Sequence, residues 1–173
     1  MAALDQGPPP ALGWLTEARM AFETRTPNGF LISDDPALFD LPRAHHWLSE
    51  QSYWAKGIPY LTFATAIRNS LTFAAYAPDG EMAAMARVVT DRATFGWLCD
   101  VFVDEAHRGR GLGKALMAWF KAHPDLQGFR RMHLATADAH ELYRQYDFTD
   151  LTGADRWMEI RDPNIYSRGG STT

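Results

Sequence analysis

The spacing of apolar positions changes along the chain, and each change marks an element. Around Phe22-Glu23-Thr24-Arg25-Thr26 and Phe30-Leu31-Ile32-Ser33 the period is close to two, with Pro27-Asn28-Gly29 between. That pattern predicts a hairpin. Asp40 followed by Pro42 then reads as the start of a helix running through Trp47 and Leu48. From Pro59 to about Leu71 the apolar positions Tyr60, Phe63, Ala64, Ile67 and Leu71 fit the stripe of a second helix. The period changes again at Thr72. Strands are expected over Thr72–Tyr76 and Met82–Val89, joined through Pro78-Asp79-Gly80, and over Phe95–Val103, whose nearly continuous apolar run suggests a central position.

Arg108-Gly109-Arg110-Gly111-Leu112-Gly113 then opens a helix to about His123, with Leu112, Ala115, Leu116 and Trp119 on one face. A strand over Arg131–Thr136, a short helix over Asp138–Tyr146 and a last strand over Arg156–Ile160 complete the series. Helices interleaved with a mostly antiparallel sheet predict one α/β (α+β) domain over residues 21–162. Residues 1–20, with Gly7-Pro8-Pro9-Pro10, read as a flexible arm, and residues 163–173 as a flexible tail.

Composition narrows the picture. With 173 residues, 46% hydrophobic and 22% charged, the chain can build a sizeable core. A net charge of -4 argues against nucleic acid as the main partner. No apolar run is long enough to cross a membrane, the N-terminal residues do not read as a signal peptide, and the single Cys99 suits a reducing cytoplasm.

The glycine-rich turn carries the clearest chemistry. Helix-start amides lack intrahelical partners and carry partial positive charge, so they bind phosphate, and glycine lets the anion approach. Spacing decides which phosphate loop this is. A P-loop would need Gly six positions before Lys114 and Ser or Thr after it, but Arg108 and Ala115 stand there. Gly109-x-Gly111-x-Gly113 is not the Rossmann spacing and lies past mid-chain.

Arg108-x-x-Gly111-x-Gly113, after Val101-Phe102-Val103 and before an amphipathic helix, resembles the acyl-CoA loop of the GNAT superfamily of N-acetyltransferases. Ala139-x-x-Leu142-Tyr143-x-x-Tyr146-x-Phe148 is similar to that superfamily's second motif, with Asp147 in the place of its usual Gly and Thr136 where many members carry Asn. The resemblance spans roughly residues 22–160. It implies a mixed, mostly antiparallel six- to seven-stranded sheet flanked by about four helices, with acetyl-CoA as cofactor. The implied reaction is direct transfer of an acetyl group, in a ternary complex, to a primary amine of a small molecule. A rival reading is a non-catalytic acyl-CoA-binding regulator. Homodimers are common in such folds, and no feature here specifies one.

The resemblance also assigns residues. The amides of about Arg108, Gly109, Arg110, Gly111, Leu112, Gly113 and Lys114 would hold the diphosphate. The backbone of Val101, Phe102 and Val103 would take the pantetheine arm, and Thr136 would lie beside it. Tyr143 is the candidate general acid, a phenol of pKa ~10 against a thiol's ~8.5; alternatively it belongs to a buried helix stripe. Asp100, an acid on an apolar strand, is expected to share a face with Leu98 and Phe102. It is either a base tuned by burial or a carboxylate satisfied by a backbone group or an Arg. His133 is a further candidate base. Asp138 with Glu141 reads as a capping box. Tyr53 and Trp54 are candidate walls of the acceptor site or a hydrophobic staple, and Asp91 a candidate partner of a cationic amine or a plain turn acid. Cys99 has no cationic neighbour in sequence to make it a nucleophile, and the adjacent His45-His46 pair cannot grip one metal, so no metal is expected.

Overall fold

The computed structural model describes residues 20–168. The arm before Met20 and the Gly169–Thr173 end lie outside the described residues. Six strands form one sheet in sequence order: β1 (Glu23–Arg25), β2 (Leu31–Ser33), β3 (Leu71–Tyr76), β4 (Met82–Thr90), β5 (Phe95–Val103) and β6 (Arg131–His133). Neighbours are antiparallel except β5 and β6, which run parallel. The central position expected for Phe95–Val103 is not what forms: β5 is fifth of six, paired along its length with β4 and over only three residues with β6.

Four helices cover the two faces. Asp40 caps α1 (Leu41–His46) by accepting the Arg43 N–H at 3.0 Å, and the helix continues as a wider π-turn over Trp47–Gln51. It stacks Trp47 on Phe102 of β5 and shares a cluster with Phe63 of α2 (Tyr60–Arg68), Ala74, Tyr76 and Met85. The opposite face carries α3 (Leu112–Ala122) and α4 (His140–Arg144). There Leu112, Leu116, Trp119 and Phe120 bury against Phe73, Ala75, Ala84, Ala86, Val88 and Leu98. Alanines in β3 and β4 let helices approach closely from both sides. Trp119 stacks on Phe73 with ring centroids 4.3 Å apart and donates its indole N–H to the Phe22 carbonyl.

Three expectations change. The strand over Arg156–Ile160 does not form; that stretch leaves Met158 and Ile160 exposed, and β6 stops at His133. The α2 stripe ends at Arg68, so Leu71 opens β3 instead. Part of the expected tail packs onto the domain: Tyr166 joins the cluster beneath α1 and α2.

A fourth change bears on the site. Leu98 buries against α3 while Phe102 buries against α1, so they lie on opposite faces. Asp100 breaks the alternation: its φ is 53°, and the β4–β5 register shifts between Met85 and Arg87. This is a β-bulge, in which one extra residue re-aims everything after it.

Candidate functional site

The bulge coincides with a gap in the sheet. β5 and β6 pair only over Phe95↔Arg131, Gly96↔Met132 and Trp97↔His133. Beyond Trp97 the strands part, leaving the edge of β5 from Cys99 to Val103 without a strand partner on the β6 side. Val101, Phe102 and Val103 lie along that edge, and Val103 leads into the glycine turn.

That turn is shaped by its glycines. Gly109 and Gly111 have φ values of 74° and 78°, which favour glycine strongly. A Cβ on either would meet nothing within 4 Å, so the space in front of both is open. Gly111 is the N-cap of α3 and offers no side chain to the first-turn amides. Those amides, through Lys114, therefore face outward without an intrahelical acceptor. Asn28, at the tip of the β1–β2 hairpin, donates to the Arg110 carbonyl at 3.3 Å and steadies the loop from behind. An anionic diphosphate suits this cradle in charge and in room. Arg108 turns back, its Nε donating to the Val103 carbonyl at 3.4 Å.

Tyr143 stands on α4 across the gap and is 8% exposed. Burial first, then nearby Tyr53 and Asp138, pushes its phenol up to about 12. Its setting is a Schellman-type helix end: the Phe148 N–H reaches the Tyr143 carbonyl at 3.3 Å, and the two rings meet at 6.0 Å. Asp147 takes the left-handed conformation this requires, with φ 68°, and its carboxylate receives Lys121 at 2.8 Å. The turn that glycine usually makes is thus kept. Tyr146 ties α4 to the helix that follows the glycine turn by donating its hydroxyl to the Lys114 carbonyl at 2.8 Å.

The segment between the π-turn and α2 bridges the gap. The Tyr53 hydroxyl accepts the Ala137 N–H at 3.2 Å on the β6 side, and Trp54 Nε1 donates to Asp100 Oδ1 at 3.0 Å on the β5 side. Ser52 anchors this strap to the Leu48 carbonyl at 2.6 Å.

Asp100 itself is fully engaged, because its other oxygen receives Arg87 Nε at 2.5 Å and Arg87 in turn reaches Ser70. Burial works against the Arg87 charge, but Asp100 together with Cys99 and Tyr166 outweighs it and holds the guanidinium's pKa up. Of the two readings of Asp100, the structure favours the carboxylate satisfied by an arginine.

The remaining candidates are either satisfied by their own loops or unreactive. Asp91 accepts from the amides of Ala93, Thr94 and Phe95 and from the Thr94 hydroxyl, which hold its carboxyl well below the usual range. It is a turn acid, at the end of β5 opposite the glycine loop. Thr136 is bound into its own loop, accepting the Ala139 N–H at 3.1 Å. The expected capping box is absent: α4 starts at His140, and Glu141 pairs with Arg144 instead. Burial pushes the Cys99 thiol up to about 12, far from a reactive thiolate.

The parted strand pair beside an uncapped, glycine-led helix start presents an open strand edge and free amides suited to an extended ligand with an anionic group. The acetyltransferase (GNAT) family profile matches residues 41–148, and the chain belongs to that family. A solved structure from Xanthomonas campestris pv. campestris, described as a candidate GNAT acetyltransferase, is 48% identical. The match covers 80% of this chain and 96% of that one, with a TM-score of 0.78. A candidate acetyltransferase from Gibberella zeae is 29% identical over 68% of this chain and 77% of its own length. The ribosomal-protein-S18-alanine N-acetyltransferase of Escherichia coli shares the fold at 24% identity and TM-score 0.55, covering 77% of this chain and 80% of its own. The protein is an acetyltransferase, and acetyl-CoA is its acyl donor.

Proposed function

We propose that the protein transfers an acetyl group from acetyl-CoA directly to the primary amine of a small molecule, with both bound at once. The observation that carries this is Tyr143, held by a helix-end motif and lining the open cleft beside the parting of β5 and β6. Acetyl-CoA supplies an acyl group activated as a thioester, so transfer exchanges a C–S for a C–N bond, with one proton to leave nitrogen and one to reach sulfur.

The loop amides from Arg108 to Lys114 would hold the diphosphate, and the free edge at Val101–Val103 the pantetheine arm. Tyr143 keeps its proton throughout the physiological range. Full donation from a phenol near 12 to a thiolate near ~8.5 would be uphill by about 5 kcal/mol. Its contribution is therefore a hydrogen bond to the charge developing on sulfur, and the proton that sulfur finally takes comes from water, which also receives the proton lost by the amine. Asp100, with both oxygens occupied, fixes the bulge and the strap, and the amine proton leaves through the open cleft to water. The unreactive Cys99 thiol supports direct transfer over a covalent relay.

The test is free-thiol release with acetyl-CoA and a panel of amines, for wild type and Tyr143→Phe. Turnover that falls about 100-fold in the variant with acetyl-CoA affinity unchanged supports the reading. Acetyl-CoA binding without turnover on any amine would favour the acyl-CoA-responsive regulator.

A further inference from the structure

Below the strap, at the paired end of β5 and β6, four aromatic rings gather where no core requires them. His133 is the hub. Its imidazole lies 5.5 Å from Phe95, 6.1 Å from Trp97 in a near-parallel stack, and 4.5 Å edge-on from Trp157. Phe95, Trp97 and Trp157 are 37%, 38% and 39% exposed, large apolar surfaces left in contact with water. Leaving three such rings half-exposed in one cluster is costly unless something covers them. They line one continuous cleft with Tyr143, of about 1440 Å³, so whatever rests on them lies in the same space as the candidate acid.

The charges of the cleft select further. Arg144 is paired with Glu141 and Asp150. Arg130, Arg131 and Arg156 also line the cleft and have no carboxylate partner among the described residues. Arg131 lies over the Trp157 ring at 5.3 Å, already filling the cation–π position there. His133 adds no charge of its own, since burial and then Arg131 lower its pKa. Its Nε2 is buried without a partner among the described residues. Of the acids in the cleft, Asp147 and Asp150 are paired with Lys121 and Arg144, which leaves Glu159 beside the three arginines, so a multiply charged aliphatic amine would meet more cations than anions there. A flat ring carrying one amine on a short arm would stack in the box, with its amine up the cleft.

We propose that the acceptor site binds primary amines carried on a short arm from an aromatic ring, with Phe95, Trp97, His133 and Trp157 enclosing the ring and the amine directed toward Tyr143. This rests on the amine-acetyltransferase reading and adds the substrate class to it.

The test uses the full-length protein saturated with CoA, titrated by calorimetry with 2-phenylethylamine, spermidine and glucosamine, alongside thiol release with acetyl-CoA. The expected result is at least tenfold tighter binding of 2-phenylethylamine. Trp97→Ala and Trp157→Ala should each weaken it about tenfold while leaving acetyl-CoA affinity unmoved. Two half-exposed positions are used so that a folding defect in one variant cannot decide the outcome. Equal or tighter binding of spermidine or glucosamine, or indifference to both substitutions, would overturn the aromatic site. So would a dimer that Trp97→Ala splits into monomers without any response to 2-phenylethylamine, because the rings would then be a self-association surface. If 2-phenylethylamine binds in the box but no amine is ever acetylated, the site stands and the enzymatic reading falls. If aliphatic amines are acetylated while 2-phenylethylamine does not bind, the reverse holds.

Discussion

The two ends of β5 are built from different materials. At its C-terminal end the proposed cofactor cradle is backbone: outward amides, two glycines with left-handed φ, and an unpaired strand edge. At its N-terminal end the acceptor box is side chain: Phe95 and Trp97 from β5, His133 from β6 and Trp157 from the C-terminal stretch. In the proposed function, backbone would recognise what every donor of this class shares, a diphosphate and an amide-bearing arm. Side chains can be exchanged without touching the backbone ladder, so one frame can serve many acceptors. Asp100 marks the border between the two ends.

The comparison predicts that the two ends fail separately. The largest effect is expected at the cradle. Gly111→Glu forces a side chain into left-handed backbone and sets a carboxylate at a helix start; acetyl-CoA affinity should fall at least 100-fold by calorimetry. Retained affinity would break the loop assignment. Next comes Tyr143→Phe, with turnover down about 100-fold and donor affinity unchanged.

Smaller still is Tyr53→Phe, which removes the acceptor of the Ala137 N–H. It should raise the acceptor KM several-fold and spare the acetyl-CoA Kd. A change in donor affinity instead would join the strap to the cofactor end.

The pH dependence sharpens the role of Tyr143. Because its folded pKa is raised, the neutral phenol is favoured, and its contribution to stability is present below about pH 10 and lost as pH rises from there toward 12. kcat/KM should therefore rise with pH as the acceptor amine deprotonates, with no falling limb below about pH 10. A falling limb near pH 8 would assign the acid to another group. The smallest effect on activity is expected from Asp91→Ala, which undoes four hydrogen bonds of the β4–β5 turn: the melting temperature should drop while acetyl-CoA affinity stays unchanged.

Legibility in the sequence followed the same division. The first hairpin, the Asp40 cap, the bounds of β5 and the helix after the glycine turn can all be read from local signals, because turn chemistry and periodicity act within a few residues. The face assignment of Asp100 fails because strand parity assumes an unbroken ladder, and only the pairing with β4 reveals the bulge. Asp91 misleads for a related reason: an acid at a hairpin end looks available until its own loop is seen to saturate it. The aromatic box escapes notice because Phe95 and Trp97 alternate with Gly96 and Leu98 as ordinary strand residues, and Trp157 lies far along the chain. Its one sequence signal was large aromatics on a strand face that polar residues would normally occupy.

What the sequence by itself determined is whatever depends on local backbone: the glycines that permit φ near +75°, the helix that follows them, the order of elements and hence the family. What only the tertiary structure decided is which distant side chains share a space. Arg87 with Asp100, Tyr53 with Ala137, and His133 with Trp157 meet across the sheet or across long stretches of chain. The reason is physical. Conformational preference is a property of neighbouring residues, whereas charge pairing and ring packing depend on distances that exist only once the strands have chosen their partners and register.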